Sequence, residues 1–251
     1  RRSYEIGLAA GIDDAYPHLR HLVVSTTLGE APAAAVEVVA APGEGAQGAV
    51  ETGSALAELR GARLELLDAL GLDELARNRQ AEARALGATC GDVRVWSLYV
   101  PNGRTPDSDH YTYKLEWLER LRLDGAKWLA EDPLAQIALM GDWNIAPTDE
   151  DVWDIGFFEG KTHVTPPERD AFQAMIDAGF SDVVRPFTPG PGTYTYWDYT
   201  QLRFPKKQGM RIDFALCSPA LAERVEGAQI DRDERKGKGA SDHAPVIVDL
   251  D

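Results

Sequence analysis

Ile137-Ala138-Leu139-Met140-Gly141-Asp142-Trp143-Asn144 is a short apolar run that ends in a glycine and an acid. Four apolar residues stopped by Gly-Asp predict a buried strand over 137–140 that delivers polar groups at its end. Upstream, Val93–Val100 (VRVWSLYV) is nearly all apolar and rich in β-branched and aromatic residues. That pattern suits a strand covered on both faces, and Pro101-Asn102-Gly103 ends it in a turn. Between the two, Tyr113–Leu129 predicts a helix with Leu118, Leu121 and Trp128 on its inner side. Thr165-Pro166-Pro167-Glu168 is a helix start, with Thr as N-cap, Pro at the first helical position and Glu reaching back. Phe172, Met175 and Ile176 follow on one face, and Gly179 ends that helix. Ile212–Leu216 and Pro245–Leu250 read as two further strands. Strands and helices alternating in this way predict an α/β domain, with no repeat or linker after residue 82.

Polar clusters stand at the ends of those strands: Asp142 with Asn144, Arg211 with Asp213, and Ser241-Asp242-His243. Tyr99, just before the turn at 101–103, is a fourth candidate. Strand ends where loops converge are the usual place for an α/β active site. Taken singly, Asp142 reads equally well as a turn cap, His243 as a satisfied core histidine and Tyr99 as a core residue. Asp213 is harder to dismiss, because an unpaired carboxylate in an apolar strand is costly; a histidine is its natural partner. His18, His21, His110 and His163 show no ligand spacing and read as structural. Together the clusters suit phosphodiester hydrolysis. A carboxylate–imidazole pair orients a catalytic histidine, a second carboxylate with an amide holds a water, and Mg²⁺ takes the remaining oxygens.

The chain has 251 residues and a formal net charge of −15. That charge argues against a protein that merely coats nucleic acid through phosphate contacts. It leaves room for a nuclease whose acids gather metal, with a local basic strip at Arg203, Lys206, Lys207 and Arg211, continued by Arg232, Arg235, Lys236 and Lys238. No apolar run approaches the ~20 residues of a membrane helix, and no signal peptide opens the chain. Cys90 and Cys217 sit in apolar stretches as small core residues, and a reducing cytoplasm is the expected setting.

From about Glu82 onward the chain resembles exonuclease III and the abasic-site endonucleases. The resemblance rests on Gly141-Asp142-Trp143-Asn144-Ile145-Ala146-Pro147-Thr148-Asp149, Asp151-Val152-Trp153, Gly209-Met210-Arg211-Ile212-Asp213 and the stretch from Lys236 to Pro245. Tyr99–Gly103 and Thr195–Tyr199 match the same family. The resemblance implies a four-layered α/β sandwich, two packed β-sheets flanked by helices, and a Mg²⁺- or Mn²⁺-dependent DNA-repair nuclease. Its substrates would be double-stranded and abasic-site DNA, its action exonucleolytic and endonucleolytic, its state monomeric. It also implies roles. Asp142 would activate the attacking water, Asn144 would hold it, and His243, paired with Asp213, would bind the scissile phosphate. Asp242, with Asp142 and Asn144, would hold the metal, and Tyr99 would contact the phosphate or assist the leaving group. Asn102, Tyr196, Trp197, Arg211 and Lys206 would meet the substrate. A phosphodiesterase or phosphatase of the same superfamily, or a non-catalytic nucleic-acid-binding remnant, are the rival readings.

Residues 1–81 do not match that family. Its opening Trp-Asn-x-Asn strand and the Gln-Glu-Thr-Lys strand, whose Glu is the principal metal ligand, have no counterpart here. Residues 31–56 are mostly small, and Leu56, Leu59, Leu66, Leu67 and Leu70 fall at helical spacing before Gly71. The segment has diverged, been replaced or been read out of frame; the abrupt return of the pattern near Glu82 favours the last. The expectation is therefore one sheet short or irregular in its N-terminal part, with a strand edge left uncovered.

Overall fold

A computed structural model describes residues 2–9, 22–28, 36–40, 84–90, 92–237 and 239–251. Among these residues ten strands form two sheets of five. Sheet one has the order β3-β2-β1-β10-β9, built from β1 (Arg2–Ala9), β2 (Leu22–Leu28), β3 (Val36–Ala40), β9 (Val225–Ile230) and β10 (Val246–Leu250). Sheet two has the order β4-β5-β6-β8-β7, built from β4 (Ala85–Cys90), β5 (Val93–Tyr99), β6 (Gln136–Asp142), β7 (Ser181–Asp182) and β8 (Asp213–Cys217). β1 runs parallel to β10 and β5 parallel to β6; the other pairs are antiparallel. The N-terminal segment therefore contributes three strands where the sequence left the sheet short. β10 has β1 on one side and β9 on the other, so its edge is covered. The helix expected over 56–70 lies outside the described residues.

Both faces of sheet two are buried, which explains its near-continuous apolar strands. Val93 and Val95 of β5, Ala138 and Met140 of β6, and Ala215 and Cys217 of β8 meet Val246, Val248 and Leu250 of β10 between the sheets. The alternate residues Trp96, Leu98, Ile137, Leu139, Phe214 and Leu216 face the helices. Helix α1 spans Asp109–Glu131, capped by the Ser108 side chain accepting from the Tyr111 amide. It buries Trp117, Leu118 and Leu121 against that face. Helix α2 (Ile155–Phe158) is a single turn. Helix α3 (Pro166–Asp177) has the expected Thr165–Glu168 capping box and packs Phe172 and Met175 into the same layer. A short α4 (Pro219–Ala222) follows β8. The strands expected at 93–100, 137–140, 212–216 and 245–250 are all present within two residues at either end.

Gly141 makes the bend between the core of β6 and its polar end. Its φ is +140°, and a Cβ there would lie 2.0 Å from the Leu98 carbonyl oxygen of the neighbouring strand. Only glycine fits so close an approach of two backbones.

Candidate active site

Tyr99, Asp142 and Asp213 form one rung of sheet two: Tyr99 is the register partner of Asp142, and Asp142 of Asp213. Each continues the inward alternation of its strand, after Val93 and Val95, Ala138 and Met140, and Cys217 and Ala215 respectively. The polar site is thus the end of the inter-sheet core, where the same side-chain parity turns from apolar to acidic.

His243 approaches from the segment leading into β10, in the opposite sheet. Its Nδ1 lies 2.8 Å from Asp213 Oδ2, and both side chains are buried. Burial alone would push the imidazole pKa down. The Asp213 charge and hydrogen bond, with Asp142 and Asp242 nearby, outweigh burial and raise it. The connecting strip 194–197 stitches the two sheets together at this point. Met210 N–H donates to the Tyr196 carbonyl at 2.9 Å, Trp197 N–H to Asp242 at 2.8 Å and Ala244 N–H to Thr195 at 2.7 Å. The Thr195 hydroxyl accepts from the amides of Ile212 and Asp213, each at 3.1 Å. The Tyr196 ring lies 4.8 Å from the His243 ring.

Asp142 and Asn144 act as one unit. Asp142 Oδ1 accepts from the Asn144 amide at 2.8 Å, and Oδ2 accepts from Asn144 Nδ2 at 3.0 Å. Asn144 Nδ2 also donates to the Val100 carbonyl at 2.9 Å, and its Oδ1 accepts from Asn102 Nδ2 at 3.1 Å. This geometry requires the left-handed φ of +51° at Asn144, a conformation that asparagine tolerates better than most residues. Burial, then the Asp213 charge, push the Asp142 carboxyl up to about 7.

Asp142, Asp213 and Asp242 offer only oxygen donors, around one imidazole. A hard divalent cation fits such a set and would relieve its crowded negative charge. Asp242 and Asp142 are the residues suited to hold it. Asn144 is the weaker candidate, since its oxygen already accepts from Asn102. Among the described residues no three His, Cys, Asp or Glu side chains converge closely enough to chelate an ion alone.

A model of the Endonuclease/Exonuclease/phosphatase family matches residues 23–243, the whole of this site included. The chain belongs to that family. Among characterised members of the endonuclease/exonuclease/phosphatase family it is similar to exodeoxyribonuclease III of Haemophilus influenzae, 31% identical over 185 residues, which make up 69% of this chain and 68% of that one. An exodeoxyribonuclease of Bacillus subtilis is 29% identical, over 73% of this chain and 68% of that one. In structure the chain is similar to a 3′-5′ exonuclease from Neisseria meningitidis (35% identity, TM-score 0.66, 70% of this chain and 68% of that). It is also similar to an AP endonuclease from Archaeoglobus fulgidus (32%, TM-score 0.63, 67% and 65%). The chain is thus a phosphodiesterase-type enzyme of this family with the family's α/β sandwich, and members of the family generally use divalent metal ions.

Not every residue assigned to the family site reaches it. Arg211 is buried, with Nε 2.6 Å from Asp151 Oδ1 and Nη1 2.6 Å from Asp182 Oδ2. Arg185 joins the same Asp151 carboxylate. Arg211 therefore knits loops together instead of meeting a substrate. Trp197 is also a core residue, packed edge-on against Tyr194 and Phe204; it backs the wall that Tyr196 lines. Lys206 is exposed on the loop 199–208, and Asn102 sits at the rim, tied to Asn144. Tyr99 is half-buried under the Arg84 guanidinium, 5.0 Å from its ring centre. The basic strip is built on aromatic faces: Arg203 stands 4.5 Å from the Phe157 ring centre, and Arg232 stands 4.1 Å from that of Phe204.

Sequence reasoning missed Lys114, Glu168 and His163. Lys114 and Glu168 are both completely buried and form an ion pair. His163, read as structural, places Nδ1 2.6 Å from the Asn144 carbonyl. Since a carbonyl can only accept, that nitrogen carries a proton. A lysine within an amphipathic helix gives no sign that it points inward, so nothing in the helical pattern distinguishes Lys114.

Proposed function

We propose that this chain is a metal-dependent DNA-repair nuclease. In this reading it degrades duplex DNA 3′→5′ and incises at abasic sites, with Mg²⁺ or Mn²⁺, as a cytoplasmic monomer. The observation that carries the reading is the Asp213–His243 pair lying across the sheet rung from the Asp142–Asn144 pair. Asp142, buried beside Asp213 and held by Asn144, is placed to take a proton from water. Asn144 fixes that carboxylate's orientation. His243, its pKa raised by Asp213, presents positive charge to the phosphate as charge develops there. A divalent cation on Asp242 and Asp142 would add electrostatic stabilisation of the phosphate oxygens. The water oxygen bonds to phosphorus as the bond between phosphorus and the leaving oxygen breaks; the water's proton passes to Asp142, and Tyr99 donates a proton to the leaving oxygen. Tyr196 lines the pocket for the sugar.

A second reading is favoured by one relative. A Neisseria structure bound to a product DNA hairpin, 34% identical to this chain, is described as a 3′ phosphatase. Under that reading the same groups remove a terminal phosphate from DNA. Turnover on three substrates separates the readings: an abasic-site duplex, a recessed 3′ end and a 3′-phosphorylated end. Absence of metal-dependent turnover on all three would leave the binding-remnant reading. We retain the division at residue 82 as one of likeness to the relatives named above, which cover 69–73% of the chain, although the family match begins at residue 23 and β1–β3 share a sheet with β9 and β10. Reading the codons upstream of Glu82 in three frames tests whether the N-terminal third is out of frame.

A further inference from the structure

We propose that the buried Lys114–Glu168 pair, with His163, is the positioning device of the site, fixing Asn144 and through it Asp142 and Asn102. The inference rests on the reading of Asp142 and Asn144 as the water-activating unit. Three loops, at 100–103, 144–146 and 162–165, bring residues to the site's edge, and all three converge on this pair. Lys114 Nζ donates to the Asn144 carbonyl at 2.6 Å and to the Asn102 carbonyl at 3.4 Å. Thr162 Oγ1 lies 3.0 Å from that same Asn102 oxygen and 2.7 Å from Glu168 Oε1. Glu168 Oε2 accepts from the Thr165 hydroxyl at 2.7 Å and the Thr165 amide at 3.2 Å.

The Asn144 carbonyl therefore receives two donors, the Lys114 ammonium and the His163 ring. The two segments meet a second time, where the Ala146 amide donates to the His163 carbonyl at 2.8 Å. Both Asn144 and His163 have positive φ, +51° and +82°. Two non-glycine residues in this region are each uphill and persist only when their surroundings over-determine them. The buried pair supplies that constraint. A buried ion pair replaced by apolar residues is often neutral for stability, so fold maintenance alone does not account for a lysine with no exposed surface. Its hydrogen bonds run to the backbone of the two loops that carry Asn102 and Asn144.

The chain contains three asparagines, Asn78, Asn102 and Asn144, so selective ¹⁵N-asparagine labelling gives three side-chain amide pairs. In Glu168→Gln and Lys114→Met the Asn102 and Asn144 pairs should shift and broaden while Asn78 stays in place. Signals of Asn102 and Asn144 unmoved in a folded variant would overturn the proposal, whether or not the enzyme is active. On a turned-over DNA substrate, kcat should fall about 10²-fold with KM nearly unchanged, the effect expected of a slightly misplaced catalytic group. Lys114→Met should cost little more in an Asn144→Ala background, since it acts through Asn144; additive losses would make the pair structural only. If Lys114→Met does not fold, Glu168→Gln carries the same test, because its amide retains the acceptor for Thr165.

Discussion

Asp213 opens a strand of sheet two and His243 lies in the segment leading into sheet one, yet His243 Nδ1 and Asp213 Oδ2 are 2.8 Å apart at the mouth of the inter-sheet core. One strand-end residue of sheet two orients a residue that leads into β10 of sheet one. His243→Ala should lower kcat/KM by roughly 10²–10⁴-fold, the usual range for a positioned acid or base. Asp213→Asn should lose most of that. The double variant should be little worse than either, because groups that act as a unit are non-additive. Losses that multiply in the double variant would separate Asp213 from the mechanism.

Asp151 is fully buried between Arg185 and Arg211. Asp151→Ala leaves Arg185 without its carboxylate and Arg211 with Asp182 alone, and removing one partner of a buried ion pair costs roughly 3–5 kcal/mol. Urea unfolding should show that loss. An Asp151→Ala protein as stable as the parent would mean that Arg185 and Arg211 find other partners.

Burial, then the Lys114 charge, push the His163 pKa down to about 4. The unfolded chain binds that proton near pH 6.5. The unfolded state therefore holds more protons between these values, and stability falls as pH drops from 6.5 to 4. The contribution is complete above 6.5, and its loss is on the order of 3 kcal/mol. His163→Gln should flatten this part of the stability–pH curve by about one proton. An unchanged slope would mean that His163 titrates normally in the folded protein.

The described residues provide too few convergent ligands to chelate an ion without help from water and substrate. Chelators should abolish turnover, and half-saturation should need millimolar or higher Mg²⁺, or favour Mn²⁺, since Mg²⁺ wants near-octahedral oxygen ligation. Asp242→Asn should raise that requirement further. Saturation at micromolar Mg²⁺ would point to an additional carboxylate from the N-terminal third.

Lys206 is exposed on the loop beside the aromatic-backed cations. Lys206→Ala should weaken DNA binding uniformly across sequences and reduce the slope of log K against log salt by about 1. Binding measured by anisotropy over a salt series checks this. An unaltered slope would remove Lys206 from the DNA path.

Much of the fold after residue 82 was legible because sheet two is buried on both faces. Val93–Val100 and Ile137–Met140 had to be almost wholly apolar, and the helix at 166 announced itself by its capping box. β4 (Ala85–Cys90) and β9 (Val225–Ile230) gave weaker signals: they are short, lie at sheet edges, and carry Gly87 and Gly227. Asp142, Asp213 and His243 could be read because they interrupt apolar strands or sit in family motifs. Trp197 and Arg211 misled for the same reason. Their motifs fix their presence, but whether a side chain faces the cleft or the core depends on packing that spans three loops. Lys114 was invisible, because a lysine on an amphipathic helix ordinarily faces water.

The parallel pairing of β1 with β10 has a consequence for how this chain is made. Ile6 partners Val246, and Ala9 partners Asp249, so β1 is synthesised well before the strand it runs parallel to. At ~5–20 residues per second that interval is on the order of tens of seconds. Throughout it β1 can pair with β2 but not with its parallel neighbour, and His243 has not yet been added to the chain. The nascent protein thus carries a half-built sheet and an incomplete site until β10 has been made.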